Sequence, residues 1–277
     1  MVVETKKTGV SVAMQAMLSS MDDAILQCEK KSPMEFSIKI ANTLEEREAV
    51  FKLGYQIYLE KEFIKPNPQE YLIQSYDQDP RSIILIVQDR NKKIAGSVTL
   101  VFNESSQLPA EKIYASELKT LKKNGEKLVE LSRLIINPEF RNSKEILILL
   151  FNYLAIYSYH VENYDSLVVE VNPRHKNYYK MLLNFDEIGE EKACPSVLNA
   201  PAILLHLPLS RYQSEVKRCA SQVDQDKKER SLYPYFLRSE QETLVAYYLE
   251  RQVKQMSEEE LHYFGLSISE KRLAKAV

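Results

Sequence analysis

Leu-Val-Glu-Leu-Ser-Arg-Leu-Ile-Ile-Asn-Pro-Glu-Phe-Arg, residues 128–141, sets three polar side chains inside an apolar, β-branched run. Its composition predicts a buried strand that ends where the proline interrupts it. Alternation along a strand places Glu130 and Ser132 on one face and Arg133 on the other, unless a bulge intervenes. Because burying an unpaired ion is costly, the two charges indicate either a functional site or a structural ion pair with a neighbouring strand.

The composition is that of an ordinary globular protein. Hydrophobic residues make up 44% and charged residues 27% of the 277 positions, which suits one large domain or one domain with appendages. A net charge of −2 leaves no basic footprint, so we expect no nucleic-acid partner. The cysteines, Cys28, Cys194 and Cys219, lack metal-ligand spacing, and we expect neither a disulfide framework nor a metal site.

The hydrophobic pattern predicts three regions. Residues 1–34 form a helical extension with an amphipathic helix over 12–28, residues 35–209 form the main body, and residues 210–277 form a helical appendage. No signal peptide and no transmembrane segment is indicated, so we expect a cytoplasmic protein.

Strands and helices alternate within the predicted body, which indicates an α/β or α+β class. After position 209 the chain is charged and helix-prone, with helices predicted over 240–254 and 257–276. The predicted strands of the body are 36–41, 82–88, 94–102, 128–136, 166–171, 185–190 and 202–207, its helices are 43–63, 110–122, 144–163 and 178–182, and residues 192–201 are a predicted loop.

A family resemblance emerges from the order of these elements and from one local motif. Asn177-Tyr-Tyr-Lys-Met-Leu-Leu-Asn-Phe185 is similar to the aromatic-Tyr-x-x-Leu-Gly-Phe signature of the GNAT acyltransferases, with Asn184 in place of glycine. The resemblance implies a GNAT fold, which is a mixed, mostly antiparallel sheet flanked by helices, here with extra helices at both ends.

Three motifs narrow the resemblance. Glu130-Leu-Ser-Arg133, Asn172-Pro-Arg-His-Lys-Asn-Tyr-Tyr179 and Asn199-Ala-Pro-Ala-Ile-Leu-Leu205 resemble the long-chain N-acyl amino acid synthases of the FeeM type, relatives of the acyl-homoserine-lactone synthases. The resemblance implies transfer of a long-chain fatty acyl group from acyl carrier protein to the amine of an amino acid. Synthesis of homoserine lactone is disfavoured, because Gln74-Ser-Tyr-Asp77 keeps one of two expected acids and Gly96-Ser-Val-Thr-Leu100 lacks an expected arginine.

The stretch after the central strand bears on the acyl donor. GNAT enzymes that use acyl-CoA cradle its pyrophosphate with a glycine-rich loop, whereas Phe140-Arg-Asn-Ser-Lys-Glu145 has no glycine. The resemblance therefore implies acyl carrier protein as the partner, with Arg141 and Lys144 binding the single phosphate of its phosphopantetheine. We expect no tightly bound cofactor, acyl-CoA as the less favoured donor, and a product that associates with membranes.

Amide formation from a thioester needs a base, a polarised carbonyl and a proton for the leaving thiolate. Glu130 is the predicted base, with Ser132 beside it as a catalytic or merely hydrogen-bonding neighbour. By analogy with the fold, the backbone N–H groups of Leu134 and Ile136 hold the carbonyl, and Tyr179 matches the general acid of the family. A buried ion pair for Glu130 and a core role for Tyr179 are the structural alternatives.

The remaining candidates are cations with two interpretations each. Arg133 either binds the acceptor carboxylate or pairs with Asp77. Arg174 and His175 occupy a strand-to-helix turn, where they either bind a phosphate or carboxylate, or cap the helix. Two other functions stay open, a non-catalytic GNAT-shaped binding or regulatory protein and an acyl-CoA N-acetyltransferase.

Overall fold

The computed structural model describes residues 35–221 and 230–266. The chain divides into two compact units, residues 1–35 and 36–277, and the second contains the elements discussed below. The helix predicted over 12–28 lies outside the described residues.

A mixed sheet forms the centre of this unit. Its strand order is β1-β2-β3-β4-β5-β8-β6, with β7 paired to β8, and β4 and β5 are its parallel neighbours while the other pairs are antiparallel. This confirms the predicted mixed, mostly antiparallel sheet. The strands are β1 Phe36–Ile40, β2 Ile83–Asp89, β3 Ile94–Phe102, β4 Leu128–Ile136, β5 Ser166–Val171, β6 Asp186–Glu187, β7 Lys192–Cys194 and β8 Ala200–Pro208.

Helices flank the sheet, and their ends follow local chemistry. The first is capped by Thr43, whose hydroxyl accepts from the N–H of Glu46 while the Glu46 carboxylate accepts from the N–H of Thr43, which together form a capping box. The helices are α1 Leu44–Glu60, α2 Glu111–Lys123, α3 Lys144–Ile156, α4 Lys176–Leu183, α5 Leu209–Ser221, α6 Ser239–Gln252 and α7 Glu258–Tyr263.

Four predicted boundaries are wrong. The long helix over 144–163 is α-helical to Ile156 and then turns through a π-helical segment, Tyr157–Val161. The strand over 185–190 shrinks to β6, and the predicted loop over 192–201 contains β7, because its backbone pairs with the start of β8. In the appendage, α7 ends at Tyr263, since Gly265 follows with a φ of +67°, a conformation that ends helices.

The two faces of the sheet differ in chemistry. On one face, Val129 and Leu131 of β4 and Val169 of β5 join α3 in a large apolar cluster. On the other face, Leu128 and Val168 pack beneath α2 in a smaller cluster. We call these the α3 face and the α2 face. Glu130 alternates with Val129 and Leu131, so its carboxyl belongs to the α2 face.

The parallel pair β4–β5 opens after three rungs. The pairing ends at Glu130 opposite Val168, after which β4 stays with β3 as far as Ile136 and β5 stays with β8 as far as Val171. The strands therefore diverge and leave a gap in the middle of the sheet. We call this gap the splay.

The predicted appendage begins with α5 and packs on α3. Glu242 of α6 is fully buried, and its carboxylate accepts from the Tyr212 hydroxyl at 2.9 Å and from the Gln213 amide at 3.2 Å. Asn152 of α3 donates to the same Tyr212 hydroxyl at 2.7 Å. A hydrogen-bonded network therefore joins α3, α5 and α6, which explains why a carboxylate is tolerated there.

Candidate active site

A bulge on β4 changes which side chains share a face. The register between β3 and β4 shifts between Ser97 and Thr99, and Arg133 has a φ of +47°, which is uncommon for a residue other than glycine. The extra residue lets Arg133 follow Ser132 onto the α2 face. The prediction that alternation separates Arg133 from Glu130 and Ser132 is therefore wrong. The reason is the bulge, which the sequence analysis named as the exception.

Arg133 is paired with Asp77, the structural alternative of its two interpretations. The guanidinium donates to both Asp77 oxygens at 2.7 and 2.8 Å, to the Thr99 hydroxyl at 2.9 Å and to the Leu72 carbonyl at 3.0 Å. Both side chains of the pair are 1% exposed. Burial alone would lower the pKa of Arg133, but the Asp77 charge outweighs it and holds that pKa above its usual value. The protein itself thus uses most of the guanidinium donors.

Glu130 has a different environment on the same strand. Glu130 is 2% exposed, and one of its carboxyl oxygens accepts a hydrogen bond from the backbone N–H of Ala110 at 2.9 Å. Within residues 35–221 and 230–266 it forms no ion pair. Burial raises the pKa of Glu130 well above its ordinary value, the Ala110 hydrogen bond opposes the shift, and the Glu170 charge adds to it. The ion pair that the sequence offered as an alternative is absent from the described contacts of Glu130.

Ser132 and Tyr76 form a second polar contact at the splay. The Ser132 hydroxyl donates to the Tyr76 hydroxyl at 3.1 Å, not to Glu130. Burial raises the pKa of Tyr76, which keeps its phenol protonated at neutral pH. The hydroxyl pair lies between Glu130 and Arg133 along β4, and Tyr76 was not among the predicted site residues.

The backbone of β4 presents a donor to the splay. The N–H of Asn137 donates to the Ala95 carbonyl of β3 at 2.9 Å. Because N–H directions alternate along a regular antiparallel strand, the N–H of Ile136 points the other way, toward the side where β5 has departed. Leu134 lies at the bulge, where this alternation does not hold, so the role of its N–H stays a prediction.

Tyr179 lies on the α3 face of the sheet. Its ring packs against Phe151 and Phe185 with centroid distances of 5.7 and 5.6 Å, both edge to face. Burial raises the pKa of its hydroxyl, with smaller effects from Tyr178 and Tyr58. Among the described residues no hydrogen-bond partner reaches that hydroxyl, so it is free to donate to a ligand.

Three residues near the splay were missed in the sequence. Glu170 of β5 interrupts an apolar strand as Glu130 interrupts β4, a signal that could have identified it. Burial raises the pKa of Glu170, and a hydrogen bond from the Cys194 thiol opposes the shift. Burial and the Glu170 carboxyl together raise the pKa of Cys194 to about 11. Tyr58, on the last turn of α1, is close enough to Arg133 and Glu170 to be affected by their charges.

Four basic side chains lie close enough together for their charges to influence one another. Arg141, Arg174 and His175 are exposed, and the Arg174 Nε donates to the His175 ring at 3.1 Å. Burial lowers the pKa of Lys61, and the charges of Arg174 and Arg141 lower it further. Burial and the charges of Arg174 and Lys61 lower the pKa of His175, so its ring is neutral at neutral pH. The sequence predicted Arg141, Arg174 and His175 and missed Lys61. We call Lys61, Arg141, Arg174 and His175 the basic rim.

Lys144, the other predicted phosphate ligand, is held by the appendage. Its ammonium lies 4.0 Å from the centre of the Tyr235 ring, a cation–π contact. Tyr235 is 59% exposed. The appendage thus contacts the first turn of α3, where the sequence placed the phosphopantetheine.

Two kinds of feature are absent from the described residues. No group of three or more His, Cys, Asp or Glu side chains there is arranged to hold a metal ion. In the same part of the chain, no helix has both the length and the apolar character that a membrane crossing requires.

The protein matches known families and folds. The profile of the N-acyl amino acid synthase FeeM matches residues 49–208, more than half of the chain. The structure of FeeM from uncultured soil microbes, an N-acyl amino acid synthase, is 23% identical, with 65% of this chain and 93% of that chain covered and a TM-score of 0.56. A comparison with curated proteins found no match.

Other solved structures are more distant. TofI, solved with an inhibitor and MTA, is 11% identical, with 64% of this chain and 92% of that chain covered and a TM-score of 0.50. The AHL synthase LasI is 17% identical, with 63% of this chain and 90% of that chain covered and a TM-score of 0.48. The likeness to FeeM shows the fold, and the profile match shows the family. The chain therefore belongs to the FeeM family of N-acyl amino acid synthases, which are acyltransferases of the GNAT fold.

Proposed function

We propose that this protein transfers a long-chain acyl group from acyl carrier protein to the amine of an amino acid. The observation that carries the proposal is the chemistry of the splay. Its α2 face holds carboxyl and hydroxyl groups that suit a charged amine, and its α3 face is apolar and suits an acyl chain. Both meet at the gap, where we place the thioester carbonyl beside the N–H groups of Leu134 and Ile136.

The start of α3 supports acyl carrier protein as the donor. Residues 140–145 offer no glycine for a pyrophosphate cradle, and the basic rim provides cations for one phosphate. We place Arg141 and Lys144 at the phosphopantetheine phosphate, and Arg174 and His175 at that phosphate or at the carboxylate of the amino acid. Because the acyl carrier protein of fatty-acid synthesis is cytoplasmic, we place the reaction there.

The proposed reaction uses three groups of the protein. The nitrogen of the acceptor attacks the thioester carbonyl, whose developing negative charge the N–H groups of Leu134 and Ile136 stabilise. Glu130 takes a proton from that nitrogen, and its raised pKa gives the carboxylate a higher proton affinity than an exposed glutamate has. The C–S bond then breaks, and the Tyr179 hydroxyl protonates the leaving thiolate. Ser132 orders the Tyr76 hydroxyl beside the reacting carbon.

The direct test is turnover by the purified protein. Palmitoyl-acyl carrier protein or palmitoyl-CoA is incubated with each amino acid, and products are identified by mass spectrometry. We expect an N-acyl amino acid, formed at least about tenfold faster from the acyl carrier protein. Binding of acyl carrier protein without turnover would instead support the non-catalytic alternative, and a preference for short acyl-CoA would support an acyl-CoA N-acetyltransferase.

Charge variants test the place of the phosphate. Arg141→Ala should raise the KM for the acyl carrier protein and leave the KM for the amino acid unchanged. The matched control is Arg90→Ala, since Arg90 is an exposed arginine in the turn between β2 and β3. Equal effects of the two substitutions would remove the basic rim from the donor site.

A further inference from the structure

The pairing of β5 with β4 and β8 fixes the position of Glu170 in the sheet. The last β4–β5 pair is Glu130 with Val168, so the next rung on the same face would set Ser132 opposite Glu170. That rung is open, because the strands have diverged. Glu170 nevertheless remains fixed in the sheet, since it pairs with Leu204 of β8. Its side chain thus stands at the edge of the splay on a rigid strand.

Glu170 lies on the polar face of the splay. Val168 and Leu204 both belong to the cluster beneath α2, and alternation places Glu170, two residues beyond Val168, on that face. Glu130 and Ser132 project from β4 on the same side. The opposite face presents Val169 and Val171 to the α3 cluster. Carboxyl groups therefore line the acceptor side of the gap from both strands.

In the described part of the chain neither carboxyl has a cation at ion-pair distance, although the more distant charge of Lys112 lowers the pKa of both. In the described part of the chain Glu170 forms no ion pair, and the Cys194 thiol is its hydrogen-bonding neighbour. Glu130 is nine-tenths buried or more, and the Ala110 N–H is its hydrogen-bond donor. A partly buried carboxylate without a cation gains free energy when a ligand supplies one. Asp77 shows the contrast, since Arg133 already satisfies both of its oxygens.

We infer that Glu170 is a catalytic residue that binds the ammonium group of the incoming amino acid and accepts its first proton. The inference rests on the proposed function and assigns the acceptor subsite within it. An N–H bond of the ammonium breaks, an O–H bond forms on Glu170, and the electron pair stays on nitrogen. The neutral amine then attacks the thioester carbonyl, and Glu130 takes the second proton from nitrogen as the C–N bond forms. The electron pair of the broken C–S bond goes to sulfur, which Tyr179 protonates.

Two protons thus leave nitrogen, and two carboxyl groups on one face receive them. Sulfur takes up one proton from Tyr179, and the net reaction releases one proton to solvent. The different burial of the two acids agrees with these two roles. Glu170 is half-buried and can meet a charged amine from solvent, whereas Glu130 is almost fully enclosed.

The test is Glu170→Gln in steady-state kinetics, with the amino acid and the acyl donor varied separately. The substitution keeps the shape of the side chain and removes its charge and its basicity. We expect kcat/KM for the amino acid to fall at least about 100-fold, while the KM for the acyl donor and the thermal midpoint stay unchanged. Glu191→Gln is the matched control, because Glu191 is an exposed glutamate on the segment before β7, and it should match the wild type.

Hydroxylamine separates proton removal from other defects. It is uncharged at neutral pH and needs no initial deprotonation, so Glu170→Gln should form the acyl hydroxamate within a few-fold of the wild-type rate. Retention of kcat/KM for the amino acid by the variant, or an equal loss with hydroxylamine, would overturn the inference. A wild type that makes no amide would contradict the proposed function itself, which is a distinguishable result.

A second measurement uses only the wild-type protein, in case Glu170→Gln does not fold. The 2-hydroxy acid analogue of the accepted amino acid replaces the ammonium with a hydroxyl. It should compete with the amino acid at least about tenfold more weakly than the amino acid binds, because the charge that Glu170 recognises is missing. Equal binding of the two compounds would overturn the assignment.

Discussion

Two buried charges three residues apart on β4 have opposite environments. Arg133 makes four hydrogen bonds, and two of them run from its two terminal nitrogens to the two carboxylate oxygens of Asp77. Glu130 has one hydrogen bond from a backbone N–H and no counter-ion in the described part of the chain. Both are at least 96% buried, so exposure does not distinguish them. The two residues differ in how many hydrogen bonds their polar atoms make.

We interpret the difference as that between a structural charge and one proposed to act in the reaction. A buried ion pair whose two terminal guanidinium nitrogens are both hydrogen-bonded holds two elements in place, here the loop of Asp77 against the bulge of β4. A buried carboxyl that the fold leaves without a cation lowers stability and persists where a ligand or a reaction uses it. We therefore expect the bulge at Arg133 to matter for stability and the splay beyond Glu130 to matter for the proposed reaction.

The largest expected effect is on stability, from breaking the pair. Asp77→Ala should lower the free energy of unfolding by about 3–5 kcal/mol, because it leaves the Arg133 charge buried and unpaired. Urea denaturation measures it. The control is Glu139→Ala, which breaks the exposed pair with Lys93 and should cost at most about 1 kcal/mol. Similar losses for both would mean that the buried pair is not structural.

The next effect concerns the rate. Tyr179→Phe should lower kcat about 100-fold with a long-chain acyl donor, because the thiolate loses its proton donor. The ring contacts with Phe151 and Phe185 remain, so the thermal midpoint should shift little. Tyr178→Phe is the matched control on the neighbouring residue. If the two variants lose the same activity, Tyr179 is a packing residue like its neighbours.

The pH dependence of stability tests the environment of Glu130. Because the folded state raises the pKa of Glu130, its contribution to stability is fully present below the unfolded pKa of about 4.3 and is lost as pH rises through the folded value. Glu130→Gln should therefore gain stability relative to the wild type as pH rises above about 5. Parallel stability curves for the two proteins would show that the Glu130 pKa is ordinary.

The smallest effect is at the hydroxyl pair between the two charges. Ser132→Ala removes the hydrogen bond to Tyr76 and should cost about 0.5–1.5 kcal/mol in stability. Activity should fall only a few-fold, because Ser132 orders Tyr76 and transfers no proton. A loss of activity as large as that of Tyr179→Phe would instead make Ser132 a direct participant.

The sequence predicted most of the fold, whereas the site residues it proposed stay predictions. Strand alternation and helical periodicity found most elements, because these signals are local. The candidate site was harder to predict, because its residues come together only through the pairing of strands that are distant in the sequence. The polar run on β4 was visible in the chain, but its bulge, which brings Arg133 to Asp77, needed the register with β3. Glu170 is 40 residues from Glu130 and meets it only through the β4–β5 pairing.

Lys61 and Cys194 illustrate the same limit. Each is unremarkable in its own segment, a lysine that ends a helix and a cysteine in a short strand. Their relevance arises from neighbours distant in the sequence, Arg141 and Arg174 for one and Glu170 for the other. Composition and periodicity carry no information about such contacts.

The most direct test of this account is the turnover of Glu130→Gln with a long-chain acyl-acyl carrier protein and the preferred amino acid, with the thermal midpoint measured on the same sample at about pH 7.5. We expect kcat to fall at least about 100-fold while the midpoint stays the same or rises, because the substituted amide would keep the Ala110 hydrogen bond without a buried charge. Full activity in the variant, or a loss of activity accompanied by a lower midpoint, would contradict the claim that Glu130 is kept for the reaction rather than for the fold.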